Sequence, residues 1–116
     1  MRFVLLIYPP DGVDVDPHLV RQMRNWIEQL TRDGKLVMQQ PFLPGGAADH
    51  IVMQEGKPVI VEGPVSDESH IVCGMEIVEC RNKAEAMALA ARHPVLELKT
   101  SKVEVREVWD LFGSTR

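Results

Sequence analysis

The stretch Phe3 to Tyr8 reads FVLLIY and is apolar on both parities, which predicts a short strand in the middle of a sheet, covered on both faces. Pro9-Pro10-Asp11-Gly12 ends it, because proline cannot donate to a ladder. Asp16 before Pro17 is an N-cap followed by proline at the first helical position. Leu19, Val20, Met23, Trp26, Ile27 and Leu30 then recur at helical spacing, so an amphipathic helix is expected up to Gly34, which closes it. Lys35 to Phe42 reads as a second strand, ended by Pro41 and by Pro44-Gly45-Gly46.

Two short extended pieces follow, Asp49 to Gln54 and Pro58 to Glu62. Glu55-Gly56-Lys57 joins them as the turn of a small hairpin inserted outside the core sheet. After the Gly63-Pro64 turn, Ile71 to Val78 is a further strand. Its odd positions, Ile71, Cys73, Met75 and Ile77, are wholly apolar and predict the core face, while the even set puts Glu76 beside Gly74 on the other. Asn82-Lys83-Ala84-Glu85 has the capping-box pattern and opens a second helix, stopped at His93-Pro94, where a cation would favour the helix C-terminus. Lys102 to Trp109 (KVEVREVW) alternates as a half-buried strand.

The order is β-α-β, a hairpin insertion, then β-α-β. With right-handed crossovers this gives an α+β, ferredoxin-like sheet carrying both helices on one face. The first and third core strands are central in that topology, and the two runs apolar on nearly both faces, Phe3 to Tyr8 and Ile71 to Val78, fall at those places. The other face is left bare, with Val4, Leu6 and Val72 on it, and a second copy of the chain is the expected cover, hence a homodimer.

A chain of 116 residues, 45% of them apolar, has the material for one core and not for two. One domain is expected over residues 1–110, followed by a C-terminal tail at 111–116. The net charge of -4 offers no basic stripe, which excludes duplex binding of the counterion-releasing kind, so no nucleic-acid partner is expected. No run is long enough to span a bilayer, and MRFVLLIYPP lacks the form of a signal peptide, so a cytoplasmic protein without a membrane partner is expected. Cys73 and Cys80 lie on opposite parities and are expected to be reduced thiols.

FVLLIY, Gly34-Lys35-Leu36-Val37, VIVEGPV, VCGMEIVE, AEAMALAARHP and VEVREVW, in this order, resemble the YCII-related, DGPF-domain proteins. The family's Asp-Gly-Pro-Phe motif stands here as Glu62-Gly63-Pro64-Val65. Asp67 occupies a position where the family often has a carboxylate, and His70 one where it more often has another acid. The resemblance implies a dimeric α/β barrel, two ferredoxin-like sheets face to face, with a pocket near the motif. It also implies kinship with enzymes acting on aromatic or chlorinated rings, some with a proposed His/Asp pair. Pro17-His18-Leu19 is similar to a run near the start of this helix that carries a proposed catalytic histidine in relatives.

Glu62, Asp67, Glu68 and His70 are the sharpest constellation. A carboxylate bonded to one imidazole nitrogen fixes its tautomer and leaves the other nitrogen as a general acid or base. His70, Asp67 and His18 are therefore the catalytic candidates; the same residues also fit a solvated acidic loop and an exposed first-turn histidine. His50, in the hairpin, has Asp49 as its candidate neighbour. Glu62, Glu76, Tyr8 and Arg106 are candidate substrate-binding residues. A carboxylate in the otherwise apolar strand needs a partner, for which Arg106 is available. No histidine pair has zinc spacing, and no nucleotide, phosphate or nucleophile motif occurs, so neither metal nor cofactor is expected. Two readings follow. One is a small cofactor-independent lyase, isomerase or dehalogenase that moves a proton on a small molecule. The other is a non-catalytic dimeric module that binds a ligand or a regulatory protein.

Overall fold

The computed structural model describes residues 1–10, 16–43, 47–65 and 71–113. Asp67 and His70 lie outside the described residues. Strand β1 (Arg2–Tyr8) is followed by α1 (Pro17–Arg32), β2 (Leu36–Pro41), the ribbon β3 (Asp49–Gln54) and β4 (Lys57–Glu62), then β5 (Gly74–Glu79), α2 (Lys83–Ala90), a single 3-10 turn (Pro94–Glu97) and β6 (Lys102–Glu107). Local chemistry starts both helices and closes α1 as expected, while β5 begins at Gly74 rather than Ile71, α2 ends at Ala90 before His93-Pro94, and β6 ends at Glu107. The Asp16 carboxylate accepts from the Leu19 N–H at 2.7 Å, the Asn82 side chain accepts from the Glu85 N–H at 2.9 Å, and Gly34 takes φ +68° just past α1. Glu55 and Gly56 both have positive φ between the paired Gln54 and Lys57, the two-residue turn whose twist suits a hairpin.

The main sheet has the order β2-β5-β1-β6 with every neighbour antiparallel, and β3-β4 forms a separate two-stranded ribbon. This is the expected ferredoxin-like arrangement, with β1 and β5 central. Phe3, Leu5 and Ile7 of β1 and Val78 of β5 point into the core with Leu30 of α1 and Ala86, Leu89 and Ala90 of α2. The small residues of α2 let it lie close on the sheet.

The register corrects one expectation. Phe3 pairs with Val78, Leu5 with Glu76 and Ile7 with Gly74, so the even positions of β5 share the helix-covered face with the core of β1. Met75 and Ile77, expected in the core, instead oppose Leu6 and Val4 on the helix-free face. Both parities of this strand are largely apolar, so period-two alternation separated the faces without saying which was inside. Cys73, before the strand proper, does pack against the core. Burial pushes the thiols of both Cys73 and Cys80 up, which keeps them protonated, and both are free. No helix among the described residues is long and apolar enough to cross a membrane.

Candidate functional site

Three places collect the chemistry. The first is a cavity at the open end of β2 and β5, of about 400 Å³, lined by Phe42, Leu43, Ala47, Ala48, Pro64, Val65, Ile71 and Val72. Among the described residues every lining side chain is apolar. Phe42 is held here because its N–H donates to the Cys73 carbonyl at 2.8 Å, which extends the β2-β5 ladder past its formal end. The Gly63-Pro64 turn forms the opposite wall. Gly63 adopts φ +99°, a conformation favouring glycine, and its N–H donates to the Ala48 carbonyl at 2.9 Å. The Gly63 carbonyl accepts from His50 Nδ1 at 2.8 Å, so His50, for which the sequence offered Asp49 as a neighbour, fastens the turn to the base of the ribbon. Glu62, exposed at the end of β4, immediately precedes this turn and is not among the lining residues.

The second place lies under the helices. Glu76 and His93 are 3% and 2% exposed. The carboxylate accepts from Trp26 Nε1 at 2.8 Å through Oε1 and meets His93 Nε2 at 2.9 Å through Oε2. The other ring nitrogen, Nδ1, accepts from the Val95 N–H at 3.1 Å. An acceptor at Nδ1 places the proton on Nε2, where it is donated to the carboxylate, so the network assigns a neutral imidazole beside an ionised Glu76. The Trp26 and His93 rings meet edge to face with centroids 5.1 Å apart. Every polar atom of the trio thus has a partner inside the fold, and no ring nitrogen is left to exchange a proton with a ligand. It is a closed network joining α1, β5 and the 3-10 turn.

This corrects two expectations. Arg106 is not the partner of Glu76, because the register pairs Arg106 with Val4 and so puts it on the opposite, helix-free face. His93 is not a cation at a helix end but a neutral acceptor capping the next turn. The sequence did hold a signal for the network, since a lone carboxylate in an apolar strand, a buried indole N–H and a histidine before Pro94 each need a partner. What it lacked was any means of joining Trp26 to Glu76 across 50 positions.

The third place is on the helix-free face. Tyr8 and Arg106, both substrate-binding candidates, are brought together by Glu104. The Tyr8 hydroxyl donates to Oε1 at 3.0 Å, and Arg106 donates to Oε2 at 3.1 Å. Burial first, then the bond to Glu104 and its charge, raises the Tyr8 phenol above its ordinary value, with Arg106 opposing. Because the folded phenol holds its proton more tightly than the unfolded chain does, its contribution to stability is present below about pH 10 and is lost as pH rises through the folded value. Tyr8 is the sole tyrosine, so its phenolate absorbance can be titrated without interference. Glu104→Gln is expected to move that titration down towards the ordinary value; an unchanged curve would remove Glu104 as a cause.

His18 stands apart from all three places. It is an exposed residue in the first turn of α1, 3.8 Å from an equally exposed Glu97 carboxylate, a loose contact of little energetic weight. Among the described residues no group of three or more His, Cys, Asp or Glu side chains is placed to hold a metal.

A family model for the YCII-related domain matches residues 1–111. The chain belongs to the YCII-related domain family. Among solved structures, this YCII-related chain is similar to a 5-chloro-2-hydroxyhydroquinone dehydrochlorinase from Burkholderia phenoliruptrix in complex with 2,5-dihydroxybenzoquinone. The TM-score is 0.49 and the identity 16%, over 94% of each chain. No curated protein matches the chain.

Proposed function

We propose that this YCII-related protein is a homodimeric small-molecule-binding domain whose ligand, an uncharged apolar or aromatic compound, sits in the cavity beside the Gly63-Pro64 turn. The lining carries this reading. Its eight described residues are all apolar, and its volume of about 400 Å³ falls within the range of small-ligand pockets. The dimer rests on the helix-free face, where Val4, Leu6, Met75 and Ile77 are covered by no described element.

A second reading adds proton transfer on the bound molecule by His70, oriented by Asp67. It is supported by chain connectivity, since Val65 and Ile71, which line the cavity, lie on either side of residues 66–70. Tyr8, Glu76, Arg106 and His18, all apart from the cavity, take no part in this reading.

A panel of neutral and charged ring compounds, screened by thermal shift and then by NMR titration, tests both readings. At least one neutral compound is expected to bind the wild-type protein and to lose affinity about 10-fold or more with Val65→Asp, which puts a charge on an apolar wall. Val65 is 82% exposed, so the substitution leaves the core intact. Failure of every neutral compound, or binding indifferent to Val65→Asp, removes the cavity as the site. Conversion of a bound compound that His70→Ala abolishes without weakening binding would establish the second reading; binding without conversion would leave the first alone.

A further inference from the structure

We infer that the β3-β4 ribbon is an arm whose outer face is covered by a second copy of the chain. Cross-strand pairing aligns Ile51 with Ile60 and Met53 with Pro58, so these four side chains share one face of the ribbon. Ile51, Met53 and Ile60 are 67%, 69% and 74% exposed, and the only charged pair on this face, Asp49 opposite Glu62, stands at the base of the ribbon. Beyond its base at Ala48 and Gly63, the ribbon packs substantially against no other strand or helix of the described residues. The Cα radius of gyration is 15.9 Å, against about 13 Å for a compact chain of this length, as expected when part of the chain stands away from the body. A two-stranded ribbon is marginal in water by itself, and one presenting an isoleucine pair and a methionine to solvent is more so.

The proposal rests on the dimer reading, and area is what favours a second copy as the occupant. A fully covered aliphatic side chain withdraws roughly 100 Å² from water. The exposed fraction of the three large side chains, matched by the surface they cover and repeated by two-fold symmetry, comes to roughly 800 Å². That falls short of the ~1,200–2,000 Å² of a stable interface. The helix-free face of the same chain, apolar at Val4, Leu6, Met75 and Ile77, is the second surface that the proposed dimer covers.

Sedimentation equilibrium on the full chain decides this, with three proteins compared: wild type, Ile51→Asp/Ile60→Asp on the arm, and Met75→Lys/Ile77→Lys on the helix-free face. The wild type is expected to be a dimer at micromolar concentration. The arm variant is expected to raise the dimer dissociation constant at least about 100-fold with an unchanged circular dichroism spectrum, and to speed amide exchange at Val52 and Val59 inside the ribbon. Should the arm variant lose its spectrum, Met53→Glu alone provides the same reading at an exposed position. An arm variant that dimerises like wild type while the face variant dissociates overturns the arm and leaves the dimer standing. A wild-type monomer, with its arm free for some other partner, overturns both.

Discussion

His93→Ala is expected to cost about 3–5 kcal/mol of folding stability, because it removes a hydrogen bond to a buried carboxylate and leaves the Val95 N–H without its acceptor. Glu76 would keep the indole N–H of Trp26 and lose the imidazole, while the Val95 N–H would lose its acceptor and the Trp26 ring its edge-to-face neighbour. At 3% exposure Glu76 is shielded from bulk solvent. Glu76→Leu/His93→Leu removes the charge along with its partner and leaves only two neutral N–H groups unpaired, each worth about 1–3 kcal/mol. This double variant is expected to be more stable than His93→Ala despite carrying one more substitution. Urea unfolding of the wild type, Glu76→Leu, His93→Leu and the double gives the coupling directly, with His93→Ala measured alongside. A cost below about 1 kcal/mol for His93→Ala would show that the imidazole does not hold the Glu76 carboxylate in the folded core.

Gly74→Val is expected to cost about 1–3 kcal/mol as an overpacked site. Even a Cβ at this position would stand 3.2 Å from the Gln40 carbonyl oxygen and 3.3 Å from the Pro41 Cα. Both of those atoms are backbone, so relief requires β2 to move rather than a side chain to turn away. Gly74→Ala should therefore cost less than Gly74→Val, and both should open the end of the β2-β5 ladder at Phe42 and Cys73, beside the ligand cavity. Denaturant titration reads the stability loss, and amide exchange at Phe42, whose N–H closes the ladder onto Cys73, reads the opening. Equal costs for the two variants, or unchanged protection at Phe42, would mean that β2 is free to shift and that glycine is not required for its close passage.

The two experiments address features of different legibility. Gly74 was visible in the sequence only as a glycine beside Glu76 in an apolar strand; the close backbone passage of β2 that it permits came from the structure. The Glu76–His93–Trp26 network was not visible, although each member was. Glu76 showed as a carboxylate lacking a partner, His93 as a helix stop and Trp26 as one position of an apolar stripe. Tyr8 and Arg106 were singled out separately and meet only because the β1-β6 register brings Glu104 between them.

By itself the sequence determined the order of the elements, which strands are central, and where the main turns fall. Those features depend on short-range chemistry: Asp16 and Asn82 as caps, Gly34 and Gly56 at positive φ, and runs apolar on both parities for β1 and β5. It also marked the Gly63-Pro64 turn as the place to look for a ligand. Tertiary structure alone decided which face of β5 is buried, because Met75 and Ile77 are as apolar as Val78 and only the packing of α1 and α2 distinguishes them. It also decided that Glu76 is answered by Trp26 and His93 and not by Arg106, since a hydrogen bond between residues 50 positions apart is set by how helix, strand and turn stack, to which local periodicity is blind.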